Sequence, residues 1–385
     1  IQLVIPLWFE EGLAEYTSNG WDTNTDMFIR DAIINNWLPG IPQMNGYVSY
    51  RGGQAMWNYI VEEYGRAKIP EMMQQIKTLR SIPAAFQTSF GMSIEEFSDR
   101  MMNALKKRYL PEIANRQSLA EISTQVSKRG EFGTYNTSPV ISPAGDKIAM
   151  ITNSGNQFNV VVASTVNGRR LKTVIKGSNN AEFEELNILD PNLTWSPDGR
   201  FLALSAKSRG KDDLAIVNYE TGKITKVRLE ELDAIGSVSW SPDGSKIAFD
   251  ANSGGYQDIY VYDLNDQSFS NVTKDLFTDS DPSWSADSKY IIFSSNRGSF
   301  TQLNTYKKDF VFFTNQDLFQ MDLYRMQIGN AESERLTNTP DWEETNPNGL
   351  LNGDIIYISD KNGIPNIFQL NPDNGVYKPL TDLQV

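Results

Sequence analysis

The chain has 385 residues, with 35 Lys plus Arg against 48 Asp plus Glu, a formal charge of −13, and neither cysteine nor histidine. The length exceeds an ordinary single domain, and a hydrophobic fraction of 39% with 11% aromatics can fill real cores, which excludes a disordered chain. The acidic balance argues against a nucleic-acid partner. The missing residue types remove disulfides, thiolate nucleophiles, a Ser-His-Asp triad and an HExxH zinc pair from these residues.

The chain opens on Ile1 to Leu7, too short for a signal peptide or a membrane span, and no later stretch reaches the ~20 apolar residues of a transmembrane helix. It is read as a soluble piece of something longer, with a mature protein cut at Ile1 as the competing explanation. Residues 1–118 carry a helical period. Apolar positions at Trp8, Leu13 and Tyr16 predict a first helix. Phe28, Ile29, Ala32, Ile33 and Trp37 predict a second over Thr25 to Leu38, stopped at Pro39-Gly40. Ala55, Met56, Tyr59, Ile60 and Tyr64 predict a third, stopped by Gly65. Ser93 with Glu96 has capping-box spacing for a helix through Phe97, Met101, Leu105 and Tyr109, with Pro111 after it. Gly52-Gly53 is taken as the opening turn of a helix, and residues 119–131 as a linker.

From Phe132 the period changes to short runs rich in Ile, Val, Phe and Tyr between Gly-containing turns, an all-β signature. The runs repeat. Ser138 to Met150, Trp195-Ser196-Pro197-Asp198-Gly199, Trp240-Ser241-Pro242-Asp243-Gly244, Trp284-Ser285-Ala286-Asp287-Ser288 and a shorter unit at Asn346 to Tyr357 make five copies. Copies two to four recur about every 45 residues, the length of a four-stranded propeller blade. Elements such as Asp258-Ile259-Tyr260 and Leu336-Thr337 follow each copy. Pro fixes φ, Gly supplies φ > 0 and Asp caps the turn, so turn formation is the reading of these aspartates. Trp195, Trp240 and Trp284 are expected to be buried between blades.

These repeats resemble the WD40-like repeats of the TolB propeller, also seen in tricorn protease and the prolyl-oligopeptidase group. The resemblance covers about 250 residues and implies a propeller over residues 132–385, with five blades visible where six are expected. It implies a protein- or peptide-binding role in the bacterial cell envelope, in the periplasm or at the outer membrane, with any membrane association made through a partner.

Trp8-Phe9-Glu10-Glu11-Gly12-Leu13-Ala14-Glu15-Tyr16 resembles the second zinc motif of the gluzincin (peptidase MA-like) metallopeptidases. That resemblance makes Glu11 the candidate third zinc ligand and Glu15 a supporting residue one turn along. The fold class expected is therefore multidomain: a helical metallopeptidase-like segment followed by an all-β propeller. The departure is the absence of HExxH. The chain as it stands is expected to hold no zinc and no catalytic residue, and zinc peptidase activity requires an HExxH upstream of Ile1. The alternatives kept open are that zinc metallopeptidase, with the propeller gating or recruiting substrates, and a structural subunit of an envelope complex. The segment Ser299 to Gln320 breaks the blade spacing and carries Phe300, Tyr306, Phe310, Phe312 and Phe313, the candidate binding residues for a protein partner, with a plain surface loop as the blander reading.

Overall fold

The computed structural model describes residues 5–113, 116–127, 132–154, 157–177, 183–188, 192–303, 320–361 and 363–384. They form two compact units. One comprises residues 1–122 with 362–365 and 382–385, the other 123–361 with 366–381.

The first unit is helical: α1 (Leu7–Asn19), α2 (Thr23–Ile34), α3 (Tyr47–Tyr64), α4 (Lys68–Leu79), α5 (Ile82–Phe90), α6 (Ile94–Ile113) and the short α7 (Leu119–Ile122). Side-chain caps start three of them. The Asp22 carboxylate accepts from the Thr25 N–H at 2.9 Å, Ser81 Oγ from Ala84 N–H at 3.3 Å, and Ser93 Oγ from Glu96 N–H at 3.2 Å. The core is aromatic. Phe9 meets Trp57 edge-to-face with centroids 4.9 Å apart, Phe86 meets Phe97 at 5.2 Å, and the Trp57 indole N–H donates to the Phe9 carbonyl at 3.0 Å.

α1 and α3 cross with backbones touching. A Cβ on Gly12 would lie 2.3 Å from the Gly53 carbonyl carbon, and one on Gly53 would lie 2.1 Å from the Trp8 carbonyl oxygen. Gly52-Gly53 is therefore no opening turn. It sits inside α3, five and six residues after its first residue Tyr47, where only glycine permits this approach. α6 also runs through Pro111 to Ile113, one turn beyond the expected stop.

The second unit is a β-propeller of five blades among the described residues, each an unbroken stretch of chain. Blade 1 is β1 (Asn136–Ile141), β2 (Lys147–Thr152), β3 (Asn159–Ser164) and β4 (Arg170–Lys176). Blade 2 has a divided inner strand, β5 (Glu185–Leu186) and β6 (Leu193–Trp195), both on β7 (Phe201–Ser208), followed by β8 (Lys211–Asn218) and β9 (Ile224–Arg228). Blade 3 is β10 (Ala234–Trp240), β11 (Lys246–Ser253), β12 (Tyr256–Asp263) and β13 (Phe269–Asn271). Blade 4 is β14 (Asp279–Trp284), β15 (Tyr290–Ser295), β16 (Asp322–Gln327) and β17 (Ser333–Arg335). Blade 5 is β18 (Glu344–Gly349), β19 (Ile355–Ser359), β20 (Asn366–Leu370) and β21 (Tyr377–Pro379).

The repeated turn closes by a fixed set of bonds. Ser196 Oγ donates to Asp198 at 2.6 Å and accepts from Phe201 N–H at 2.9 Å; Ser241 with Asp243 (2.7 Å) and Ser285 with Asp287 (2.7 Å) repeat the first bond. The Leu-Thr element has a matching purpose. Thr273, Thr337 and Thr381 each accept, through Oγ1, the N–H of the residue after the blade's buried Asp or Asn: Ile259 (3.0 Å), Leu323 (2.8 Å) and Ile367 (3.0 Å). The side chain thus satisfies an N–H that the short outer strand leaves unpaired.

Strand packing joins blade 1 to 2, 2 to 3, 3 to 4 and 4 to 5, and no comparable packing joins 5 to 1 among the described residues. On blade 5 the cross-strand pair Ile358 and Ile367 stays exposed. Trp195 and Trp284 are buried and bridge blades, their indole N–H groups donating to the Val140 carbonyl (3.2 Å) and the Ser239 carbonyl (3.0 Å) of the preceding blade. Trp240 departs from this expectation. It is half-buried, and its N–H turns back to the Gly244 carbonyl of its own turn at 3.3 Å.

Candidate functional site: the propeller axis and its buried charges

The innermost strands converge on a polar cavity of about 180 Å³ lined by Thr194, Ser237, Asp281, Ser283 and Asn348 among others. Its walls are irregular by construction. The inner strand slips register between Thr137 and Val140, Ile235 and Val238, Ser280 and Ser283, and Thr345 and Asn348. At three of these bulges Ser138, Asp281 and Asn346 take left-handed φ values of 51°, 53° and 51°, each immediately before a proline. Such positions are costly for non-glycine residues, and here hydrogen bonds hold two of them. The Asp281 carboxylate accepts from Ser237 Oγ at 3.1 Å and from the Asn346 N–H at 3.4 Å, tying blades 3, 4 and 5 together at the axis.

Behind the axis lies a layer of charge. Asp258, Asp275 and Asp279 are fully buried and close enough together to hold a metal ion. Arg297 supplies the positive charge there instead. One guanidinium nitrogen donates to both Asp279 oxygens (2.6 and 2.7 Å), the other stands 3.1 Å from Asp275, and Nε donates to Ser295 at 3.0 Å. The faces of Phe277, Phe293 and Tyr324 surround the guanidinium carbon at 5.3–5.6 Å. Asp258 accepts from Asn271 (2.8 Å), Thr273 (3.2 Å) and the Asp275 N–H (3.1 Å). Burial, then repulsion by Asp279, pushes the Asp275 carboxyl up to about 7 against the pull of Arg297.

A second buried acid sits at the start of blade 5. Glu344 accepts from Thr339 Oγ1 at 2.6 and 2.5 Å and from Thr337 Oγ1 at 3.2 Å, beside the buried Asp322, which pairs with Arg335. Burial pushes the Glu344 carboxyl up to about 7; Thr339 opposes this and Asp322 adds to it. A raised folded pKa means that the native state binds more protons than the unfolded one between the ordinary 4.5 and about 7. Stability from this group is therefore present below that window and declines as pH climbs through it. Glu344→Gln, which keeps the shape and removes the charge, is expected to stabilise the propeller by about 2 kcal/mol at pH 8 and to change nothing at pH 4.5. Urea melts across that range check this. Equal effects at both ends would assign the residue a packing role only.

The residues singled out in the sequence fall in separate places. Glu11 lies half-buried on α1. Glu15, half-buried on the same helix, accepts from Asn19 Nδ2 at 3.3 Å and stands 3.6 Å from the Arg51 guanidinium. Trp8, Phe9 and Gly12 of that motif are buried against α3 and α5, so its apolar half is committed to packing. Among the described residues Glu11 belongs to no carboxylate group close enough to hold a metal. Phe300 is 43% exposed and stacks on Phe277 with centroids 5.4 Å apart. Tyr306, Phe310, Phe312 and Phe313 lie outside the described residues. The Arg297 cluster went unread in the sequence; the only hint was a set of aspartates in Lys274-Asp275-Leu276-Phe277-Thr278-Asp279, ahead of an arginine that follows a strand.

Residues 185–310 match the family described as TolB beta propeller domain. Among solved structures, a putative TolB from Agrobacterium tumefaciens is similar over 69% of this chain and 87% of its own, at 18% identity and a TM-score of 0.52. The second unit has the fold of a TolB-like β-propeller. TolB from Acinetobacter baumannii is similar over 74% of this chain and 60% of its own (19% identity, TM-score 0.46), and the tricorn protease over 62% and 26% (15%, 0.41). No curated protein matches the sequence significantly. Among the described residues no helix of either unit is long and apolar enough to cross a membrane.

Proposed function

We propose that this chain is a protein- or peptide-binding platform of the bacterial cell envelope. It works in the periplasm or at the outer membrane, reaches the membrane only through a partner, and has no cofactor of its own. The observation that carries this reading is the axial cavity of the TolB-like propeller. It is polar, and its walls are held in costly left-handed turns by hydrogen bonds from three blades. Flanks that face a neighbouring blade are consumed by packing, so a partner meets the ends of the inner strands and the loops beside them. Phe300, seated on Phe277 with much of its ring in solvent, is suited to be an apolar anchor at such a surface.

The helical unit serves this function as a scaffold, a reading supported by Trp8, Phe9 and Gly12 of its peptidase-like motif being buried in helix packing. Zinc chemistry would require ligands that this unit does not contribute. The test is site-specific photo-crosslinking in envelope extract, with a benzophenone side chain at Asn348 on the cavity, at Phe300, or at the exposed turn residue Thr221. A discrete protein adduct from Asn348 or Phe300 and none from Thr221 is expected. The same adducts from all three positions, or none from any, would overturn the reading.

A further inference from the structure

The chain leaves blade 5 at Thr381, whose Oγ1 accepts the Ile367 N–H at 3.0 Å and donates to Asn366 at 2.8 Å. The next three residues belong to the helical unit and pair with the chain that follows α6. The Gln117 N–H donates to the Asp382 carbonyl at 2.8 Å, and the Gln117 carbonyl accepts the Gln384 N–H at 3.1 Å, so Gln117 and Leu383 form a parallel β-bridge. Side chains reinforce it. Gln117 Oε1 accepts the Asp382 N–H at 3.2 Å, and Arg116 donates to the Leu383 carbonyl at 3.4 Å, its guanidinium 3.7 Å from the Asp382 carboxylate. Gln384 Nε2 donates to the Ile113 carbonyl at 3.3 Å and to the Arg116 carbonyl at 3.2 Å. Ile113 is the last residue of α6, where a helix leaves its carbonyls without intrahelical donors, so Gln384 supplies one.

Two observations separate this from ordinary end-packing. Gln117 and Asp382 are 265 residues apart, and the whole propeller lies between them in sequence. In a free chain, loop-closure entropy opposes the docking of three residues across such a span; the folded blade 5 holds Asp382 one residue from Thr381 and removes that cost. The coupling is reciprocal, so a docked tail favours the folded blade as much as the folded blade favours docking. The second observation is where the tail attaches. Among the described residues blade 5 packs on one neighbouring blade, and Ile358, Ile367 and Leu380 stay exposed on it. Leu336, the equivalent of Leu380 in blade 4, packs instead against the core that blades 4 and 5 share. The loop between β19 and β20 has a similar tie: residues 362–365 also belong to the helical unit, and Ile364 is fully buried.

We propose that Asp382–Gln384 is a latch. Docked beside Gln117 it holds the outer strands of blade 5 in place; undocked, it lets β20 and β21 open while the inner blades stay folded. Gln117 and Asp382 are exposed, so release disturbs no core. The strand it restrains is itself weakly held: β21 is three residues long, all exposed, and one of them is Pro379, which has no N–H to give the ladder. The latch acts whether or not the axial cavity has a partner.

Amide exchange followed by mass spectrometry on the whole chain tests this. Gln384→Ala removes the side-chain donor to the end of α6, and Gln117→Pro removes the N–H that the Asp382 carbonyl accepts. Exchange in β20 and β21 is expected to quicken about fivefold in the first and about tenfold in the second, while β11 and β12 keep the native rate. Gln384→Glu keeps the size of the side chain without its N–H and is expected to match Gln384→Ala. Val376→Ser, at an exposed position beside β21 and outside the latch, is expected to change nothing. Thermal melts establish that each variant folds; residue 384 lies outside every helix and strand, so Gln384→Ala carries the test if proline at 117 prevents folding. Native exchange in β20 and β21 of both Gln384 variants, equal quickening in β11 and β12, or the same quickening in Val376→Ser would each overturn the latch.

Discussion

Replacing Arg297 with Met is expected to destabilise the propeller by about 3–5 kcal/mol at pH 8 and by much less at pH 5.5. Arg297 is fully buried with Asp275 and Asp279, so deleting the cation strands two carboxylates in a low-dielectric interior. Breaking such a pair costs more than the pair itself contributes, because the survivors keep their desolvation penalty. The pH dependence is the diagnostic part. Asp275 already titrates near 7 with Arg297 present, and losing the guanidinium removes the cation that pulls it down from there. Acidification then neutralises Asp275, and stability returns. The double variant Arg297→Met with Asp279→Asn should recover part of the loss at pH 8. Equal destabilisation at both pH values would show that the guanidinium matters through its stacking on Phe277, Phe293 and Tyr324 and not through charge.

Trp284→Ala is expected to cost about 3–5 kcal/mol, and Trp240→Ala only about 1–2 kcal/mol. The repeat makes the two look equivalent, but their surroundings do not. Trp284 is 3% exposed, packs with Ala248, Ile259, Val261, Ile291 and Phe293, and its N–H satisfies the Ser239 carbonyl of the preceding blade. Truncation leaves a cavity and an orphaned acceptor at the same seam. Trp240 is only partly buried, against Phe201, and bonds within its own turn. Urea midpoints of the two variants decide the ranking. A larger loss at Trp240 would mean that the blade 2–3 seam, not the 3–4 seam, limits stability.

The propeller was legible because its signals are local. Ser-Pro-Asp-Gly dictates a turn within five residues, and the Asp-Ile-Tyr and Leu-Thr elements bond to each other across one hairpin. The five blades among the described residues correspond to the five repeats, not to the six that the resemblance implied. The helical unit was harder. α4 and α5 escaped detection: α4 buries only Met72 and Ile76 and carries Pro70 in its first turn, while α5 is nine residues long. Ser81 followed by Pro83 was the available start signal for α5. The Gly12–Gly53 crossing joins residues 41 apart in sequence, and a glycine's need for close approach cannot be read from its own helix. For the same reason the Glu11 motif can be read two ways. Its Trp and Gly are required for packing whether or not a metal is nearby.

Each blade is one continuous segment, and among the described residues no strand is lent from one end of the propeller to the other. The consequence concerns cooperativity. Nearly all strand pairing is between sequence neighbours, so blades can form in order as the chain emerges, with little loop-closure entropy to overcome. Stability then resembles a row of coupled units more than a single all-or-none body, and among the described residues blades 1 and 5 each pack on one neighbouring blade where the inner ones pack on two. Blade 5, with Ile358 and Ile367 in solvent, is the expected site of first fraying, and amide exchange should run faster in β19 and β20 than in β11 and β12.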